Sequence, residues 1–289
     1  MEKRRVKEYI GEEMVGVYVR AIRVRQPKMG MRKLYSLLQA VIRENGIKMG
    51  RDKFHAYLRA NDLLVKPRRR RIQTTDSRHG YRTYPNLIKG YEASGPEQIW
   101  ASDITYVSTE TGFVYLSLVT DQYSKKIMGY QAHPTLEAEG SCEALKMALK
   151  NRSHRETRLI HHSDRGKQYS CGKYVNLLER NGIQISMSAL GNPYENAVAE
   201  RVNETVKMEF FLDGCFKNIE QVKRVLKETV SIYNKERPHA SCDYLTPEQA
   251  HRQQGVLKKR WHQYKRYFPP RKVDEDTQKA VDQLILKST

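Results

Sequence analysis

Cysteine is scarce and scattered in this chain. Cys142, Cys171, Cys215 and Cys242 are the only four in 289 residues, and no two have the close spacing of a zinc knuckle. A chain of this length can bury a core without a disulfide framework, so all four are expected as free thiols in a reducing compartment. Long apolar runs are missing as well. No stretch approaches the roughly 18 residues of a membrane span, and the first residues hold no apolar signal core. The expectation is a soluble, cytoplasmic protein with no membrane partner. The third shortage is of acid. Asp and Glu number 33 against 52 Lys and Arg, a net charge of +19. The imbalance is concentrated: residues 1–95 hold 23 basic and 9 acidic residues, whereas residues 96–289 hold 29 and 24. A surface made basic only for solubility would spread its charge. This distribution points to a polyanion, and to nucleic acid first.

What is present sorts into five segments. Residues 1–25 are charged and helical in pattern. Within residues 26–65, Leu34, Leu37, Leu38, Val41 and Ile42 form one helical stripe, and Phe54, Tyr57 and Leu58 a second. The turn "ENGIKMGRD" lies between them, so the segment reads as an all-α, helix-turn-helix-like DNA-binding region. Residues 66–95 open on "KPRRRR" and read as a basic linker, in which Arg68, Arg69, Arg70 and Arg71 can track phosphates. Residues 96–254 turn to an α/β pattern. "QIWASDITYV", "FVYLSLVTD" and "KIMGYQAH" read as three antiparallel strands. "RLIHHSD" and "IQISMS" follow as strands alternating with helices, which gives a mixed five-stranded sheet flanked by helices. Residues 255–289 form a basic and aromatic tail, with Trp261, Tyr264, Tyr267 and Phe268 available to stack on bases or to dock on the core.

Three acids in the α/β segment stand in telling places. Asp103 lies inside the first strand among Ile99, Trp100, Ile104 and Val107, where an unpaired carboxylate is costly. Asp164 ends the fourth strand in "LIHHSDRGKQYS". If those two strands are neighbours, the acids face each other across about one strand spacing, ~5 Å. Glu200 opens the helix after the last strand. Asn196, Glu200, Asn203 and Lys207 fall at i, i+4, i+7 and i+11 on it, with Val198, Val202, Val206 and Phe210 on the opposite face. Three clustered carboxylates repel unless a cation sits between them. An all-oxygen donor set suits magnesium, with manganese able to substitute. Two such ions can serve an in-line phosphoryl transfer. Arg165 and Lys167, just after Asp164, would offset phosphate charge.

Asp164 and Glu200 are separated by 35 residues, and "WASDITYV", "TDQYSKKIMGY", "HHSDRGKQYS" and "GNPYENAVAERVNETVKMEF" stand in one order. In that order and spacing the chain resembles DDE transposases and retroviral-type integrases, above all the downstream open reading frame product of the bacterial insertion-sequence-three family. "SIYNKERPHASCDYLTPEQA" resembles the end of that family's catalytic domain, and residues 28–65 its helix-turn-helix. The resemblance covers most of residues 28–252. It implies an RNase H-like fold, magnesium, and cleavage of double-stranded DNA at element ends followed by strand transfer. Asp103, Asp164 and Glu200 match the catalytic carboxylates, and Lys207 matches a basic residue seven positions after the Glu. Family resemblance also implies a homo-oligomer assembled on DNA at the bacterial nucleoid, and a circular intermediate. Members are often made as a frameshift fusion with an upstream-frame segment carrying a coiled coil, and no sustained heptad run occurs here. No Cys precedes Cys142, so the His/Cys zinc module of retroviral integrases has no counterpart.

Rival readings attach to neighbouring residues. Glu195 and Glu204 compete with Glu200, and Asp121 reads as a structural turn acceptor. His161 and His162 read as local packing and hydrogen-bonding residues. Ser163, Tyr169 and Tyr194 would be needed for a covalent recombinase. At the level of the whole chain, the alternatives are a DNA-binding regulator with a decayed catalytic domain and a nuclease that hydrolyses without strand transfer.

Overall fold

The computed structural model describes residues 2–65, 81–189, 195–210 and 214–260, with backbone alone over residues 2–8. Arg68, Arg69, Arg70, Arg71, Tyr194 and the tail aromatics Trp261, Tyr264, Tyr267 and Phe268 lie outside the described residues.

The N-terminal helices are α1 (Glu2–Arg25), α2 (Met31–Glu44) and α3 (Arg51–Ala60). They share one apolar cluster: Val15 and Val19 from α1, Leu34, Leu38 and Ile42 from α2, and Phe54, Tyr57 and Leu58 from α3. The stripe expected on α2 is narrower than its sequence suggested. Leu37 is exposed and Val41 only half-buried, because the third helix covers the flank on which Leu34, Leu38 and Ile42 stand. Gly16 lets α1 approach α3; a Cβ there would lie 2.3 Å from the Tyr57 hydroxyl. The turn between α2 and α3 holds Gly46 at φ +62°, a conformation that glycine adopts without strain.

The larger unit is built on β1 (Ile99–Thr109), β2 (Gly112–Asp121), β3 (Ile127–His133), β4 (Ile160–Ser163) and β5 (Gln184–Met187). Their order in the sheet is β3-β2-β1-β4-β5. β1, β2 and β3 pair antiparallel, while β4 pairs parallel with both β1 and β5. The expected mixed five-stranded sheet is thus present, with one addition. A sixth strand, β6 (Cys215–Phe216), pairs parallel with the far end of β1. Two residues carry no alternation, so nothing in the sequence marks it as a strand.

Both faces of the sheet are covered. On one side α7 (Ala197–Glu209) and α8 (Ile219–Lys235) pack Val202, Val206, Phe210, Leu226 and Val230 against Val107, Val114, Leu116 and Leu118. On the other, α4 (Ala138–Lys150) and α6 (Gly172–Arg180) pack Ala144, Leu145, Tyr174 and Leu178 against Trp100, Val119 and Met128. A strand buried on both faces reads as a continuous apolar run, which is why "FVYLSLVTD" lacks clean alternation. Two short helices, α5 (Lys167–Ser170) and α9 (Pro247–Ala250), complete this unit. Among the described residues no helix is long and apolar enough to cross a membrane.

Candidate active site

The pairing of β1 with β4 runs from Ile99↔Ile160 to Ser102↔Ser163 and stops there. Asp103 and Asp164 are the next residue on each strand. The sheet therefore brings the two acids side by side where its parallel pair diverges, the kind of crevice in which open α/β sheets hold ligands. Asp164 is half-buried, and its Oδ1 accepts from the Gly166 N–H at 2.9 Å. A Cβ on Gly166 would stand 2.9 Å from that same oxygen, so the glycine keeps the turn tight against the carboxylate.

α7 lies along the open edge of β1 and anchors to it at three levels. The buried Asn196 amide donates to the Ser102 carbonyl at 3.0 Å. One turn further, Glu200 is half-buried. Asn203, also buried, donates to Asp103 Oδ2 at 2.8 Å. Lys207 donates to Thr105 Oγ1 at 3.2 Å and stands 4.8 Å from the centre of the Tyr106 ring. The polar stripe expected from spacing thus runs beside strand residues 102–106, in the same direction as the strand. One correction follows. The apolar stripe does not lie on the opposite face of the helix but adjoins the polar one. Val202 and Val206 are buried next to Asn203, and only Ala197, Arg201 and Glu204 among the residues from 197 to 206 face solvent. A helix wedged between a core and a strand edge has two occupied flanks rather than one.

The electrostatics follow from this crowding. Burial raises the Asp103 carboxyl, the Asp164 carboxylate raises it further, and Glu200 adds a smaller push. Hydrogen bonds from Asn203 and the Ile104 N–H oppose them, and the balance lies at about 7. A carboxyl so displaced is one for which a nearby cation would be strongly favourable. Taken as ligands, the three acids would offer carboxylate oxygens alone, a set whose chemistry fits magnesium or manganese rather than zinc. As the side chains stand, no three His, Cys, Asp or Glu groups among the described residues come together closely enough to hold a metal ion.

The other named residues separate clearly. Glu204 is exposed and pairs with Arg201 at 2.9 Å, away from the acids. Glu195 accepts from the Ala189 N–H at 2.6 Å. Asp121 is buried at the end of β2 and accepts from Ser124 N–H, Ser124 Oγ and Glu97 N–H, the turn acceptor that its place suggested. His161 is buried between Ser102 and the Tyr174 hydroxyl, at 2.8 and 2.9 Å, and burial lowers it to about 3. His162 bonds Ser186 at 2.9 Å, and burial lowers it to about 4. Both are neutral packing residues at ordinary pH. Ser163 Oγ donates to the Asp164 carbonyl, and the buried Tyr169 hydroxyl is held far above its usual pKa by burial, so neither is an activated nucleophile. Arg165 donates to the Ser188 carbonyl at 2.9 Å, and Lys167 is exposed at the start of α5. Asn196, Asn203 and Thr105 are the positions that sequence reasoning left without a role. The i, i+4, i+7 spacing already put both asparagines in line with Glu200.

Known proteins agree on the kind of fold and the kind of chain. The family described as "Integrase core domain" matches residues 93–193, and a second family of the same description matches residues 181–247. The "Insertion element IS600 uncharacterized 31 kDa protein" of Shigella sonnei is 35% identical over 229 residues, covering 78% of this chain and 81% of that protein. "Transposase InsF for insertion sequence IS3A" of Escherichia coli (strain K12) is 36% identical over 196 residues, covering 67% and 68%. Among solved structures, a chain of the simian T-cell lymphotropic virus intasome superposes with a TM-score of 0.51 at 12% identity. That structure was determined by cryo-EM in complex with the PP2A regulatory subunit B56 gamma, and the match covers 83% of this chain and 74% of that one. Identity so low speaks for the RNase H-like fold alone.

Proposed function

The chain belongs to the insertion-sequence-three family and is a DDE transposase, and from that premise we propose how its residues divide the work. Asp103, Asp164 and Glu200 are the catalytic carboxylates and would hold two magnesium ions at the ends of double-stranded DNA of an insertion element. Bound there, the ions would supply Lewis-acid stabilisation of the attacking and leaving oxygens of an in-line displacement. The residues of the chain do the rest. Asn203 fixes the Asp103 carboxyl, Asn196 fixes the start of α7 and so the reach of Glu200, and Gly166 N–H orients Asp164. Lys207, Arg165 and Lys167 would take phosphate charge. Hydrolysis at an element end leaves a 3′-OH, and that hydroxyl then attacks a second phosphodiester. No covalent link to the protein is needed. Arg68, Arg69, Arg70 and Arg71 with α2 and α3 would carry the DNA beyond the cleavage site, and the working form would be an oligomer on DNA.

One observation carries this reading: Asp103 and Asp164 are each the first residue past the last β1–β4 pair, with α7 laid along the same strand edge. Purified protein, DNA bearing the element's ends and magnesium test it. Loss of a ligand's hydrogen-bond partner alone removes about 10–100-fold of metal affinity or activity. Asp103→Asn, Asp164→Asn and Glu200→Gln should therefore each lower cleavage and joining by more than ~100-fold. Glu204→Gln, in its exposed pair with Arg201, should stay near the parent. Strand transfer by Asp164→Asn at the parent rate would refute the assignment.

A further inference from the structure

Among the described residues, β1 has no strand beside it past Ser102 on the β4 side until β6 joins at Ser108. Tyr106 stands in this interval. Side chains alternate along a strand, so Tyr106 belongs to the sheet face opposite Asp103. Its cross-strand partner is Tyr115, and Phe113 sits diagonally from it, just after the turn of the β1–β2 hairpin. The Tyr106 and Phe113 rings pack edge to face, with centroids 5.1 Å apart and planes at 72°. The apolar cluster on this face takes in Trp100, Val119 and part of Ile104, and reaches neither ring. Tyr106 remains 45% exposed and Phe113 57%.

Single exposed aromatics need no explanation. A packed pair, fixed on paired strands and beside a reaction centre, is a different matter. Lys207 reaches round the open edge of β1 and places its ammonium over the Tyr106 ring, while bonding Thr105 next to it. Cation and aromatic surface therefore occur together. They lie three residues along the strand from Asp103, about 10 Å, or about three stacked nucleotide steps. Proteins hold single-stranded nucleic acid by this combination, with charge for the phosphates and ring faces for the bases. A base inside a duplex has both faces covered by its neighbours, so only an unpaired base can present one.

We propose that Tyr106 and Phe113 form a stacking platform for an unpaired nucleobase of the DNA strand whose reacting phosphate lies at Asp103, with Lys207 on an adjoining phosphate. The inference rests on the reading of the three acids as the reaction centre. Because every base has a ring face, such a platform would be tolerant of sequence. Its practical effect would be to hold open a frayed end or junction while the phosphate is being attacked.

Two probes separate the claims. One is a short duplex closed by loops into a dumbbell. The other is the same duplex with one end opened into a 5′ single-stranded tail carrying a fluorescent adenine analogue at the junction. Binding is measured on the full chain without divalent metal. The tailed probe should bind more tightly than the dumbbell, and its fluorescence should be quenched. Tyr106→Ala and Phe113→Ala should each weaken the tailed probe by about tenfold and remove the quench, with the dumbbell unchanged. Tyr106→Phe and Phe113→Tyr should keep both. Phe113→Lys adds charge without a ring. It should hold the dumbbell at least as well as the parent and still lose the quench, which keeps the test decisive if an alanine variant does not fold. Parent protein that binds both probes alike, without quenching, overturns the platform and leaves the transposase reading intact. So does a Phe113→Lys protein that retains the quench, or a lost self-association with the probe preference unchanged, which would assign the rings to a contact between copies. A parent that binds neither probe overturns both readings.

Discussion

Gly129 lacks a side chain for a reason that lies on another element. It sits in β3 beneath α4, and a Cβ there would fall 2.0 Å from the Ala144 carbonyl oxygen and 2.6 Å from Ala148 N. Backbone atoms cannot rotate away as the end of a flexible side chain can. Gly129→Ala should therefore lower stability by about 1–3 kcal/mol or more, as overpacking does. Gly172 is the contrast. It opens α6 with nothing within 4 Å of an added Cβ, so Gly172→Ala should be neutral or stabilise by up to about 1 kcal/mol. Urea midpoints at constant slope would rank the two. Neither outcome was legible in the sequence, where both are simply glycines. Asp103, by comparison, was legible, because a carboxylate within an apolar strand has few innocent explanations. Tyr106 and Phe113 were not, since their contact depends on a hairpin register that alternation alone leaves open by two residues.

At the scale of the element, α7 is the most informative piece. Its period announced which residues share a flank, and that flank does meet β1. What the period could not announce was the partner at each level, because those partners lie about a hundred residues away in sequence. It also could not show that two neighbouring flanks would be buried at once. Asn196→Ala would leave the Ser102 carbonyl without its donor, a loss of about 1–3 kcal/mol, and would loosen the first turn of the helix. Turnover should fall more than substrate affinity, because the acids depend on that turn and the bulk of the DNA contact does not. Equal changes in kcat and KM would argue against a positioning role. The other end of α7 is held differently. Glu209 accepts from Lys33 at 2.7 Å and from Arg237 at 2.8 Å through both oxygens. Burial opposes ionisation of Glu209, but these two cations outweigh it and hold the carboxyl below its ordinary range. Glu209→Gln would strand two cations that are themselves largely buried. It should cost about 3 kcal/mol, somewhat discounted for the exposed fifth of the carboxylate.

Across the whole molecule, charge sets two expectations. Glu97 and His251 meet at 3.3 Å in the interior, with Asp121, Arg152 and the His154 ring about them. Burial would raise Glu97. Hydrogen bonds from His251, the Ser153 and His154 N–H groups and the Ser153 hydroxyl outweigh it and bring the carboxyl to about 2. Burial would lower His251, and the carboxylates of Asp121 and Glu97 outweigh it, so the imidazole sits above its ordinary 6.5. The depressed acid contributes stability above about pH 4.5 and loses it as pH falls toward 2. The raised base contributes fully below 6.5 and loses it as pH rises through its folded value. Both contributions are complete only between those limits, so the contribution of this pair to thermal stability should peak there. In His251→Gln protein the alkaline decline should flatten. A second expectation concerns salt. The basic first third should supply most of the affinity for DNA, so removing residues 1–95 should weaken binding and flatten its dependence on salt concentration.

The seam between the two units has a further consequence. Arg25 pairs with Glu236 at 2.5 Å, Lys28 N–H donates to the Glu209 carbonyl at 3.2 Å, and Lys33 grips the Glu209 side chain. The helical unit is thus fastened through Glu209 to the last turn of the helix that bears Glu200, and through Glu236 to the end of α8. Fastening of this kind is symmetrical. If seating the N-terminal helices on DNA shifts α7, then filling the acidic crevice must shift the grip of those helices on DNA by the same factor. Adding magnesium should then change the affinity of the intact chain for DNA, and weakening the seam with Lys33→Ala, which leaves the Arg25–Glu236 and Lys28–Glu209 contacts, should keep each binding event in place while reducing the dependence of one upon the other.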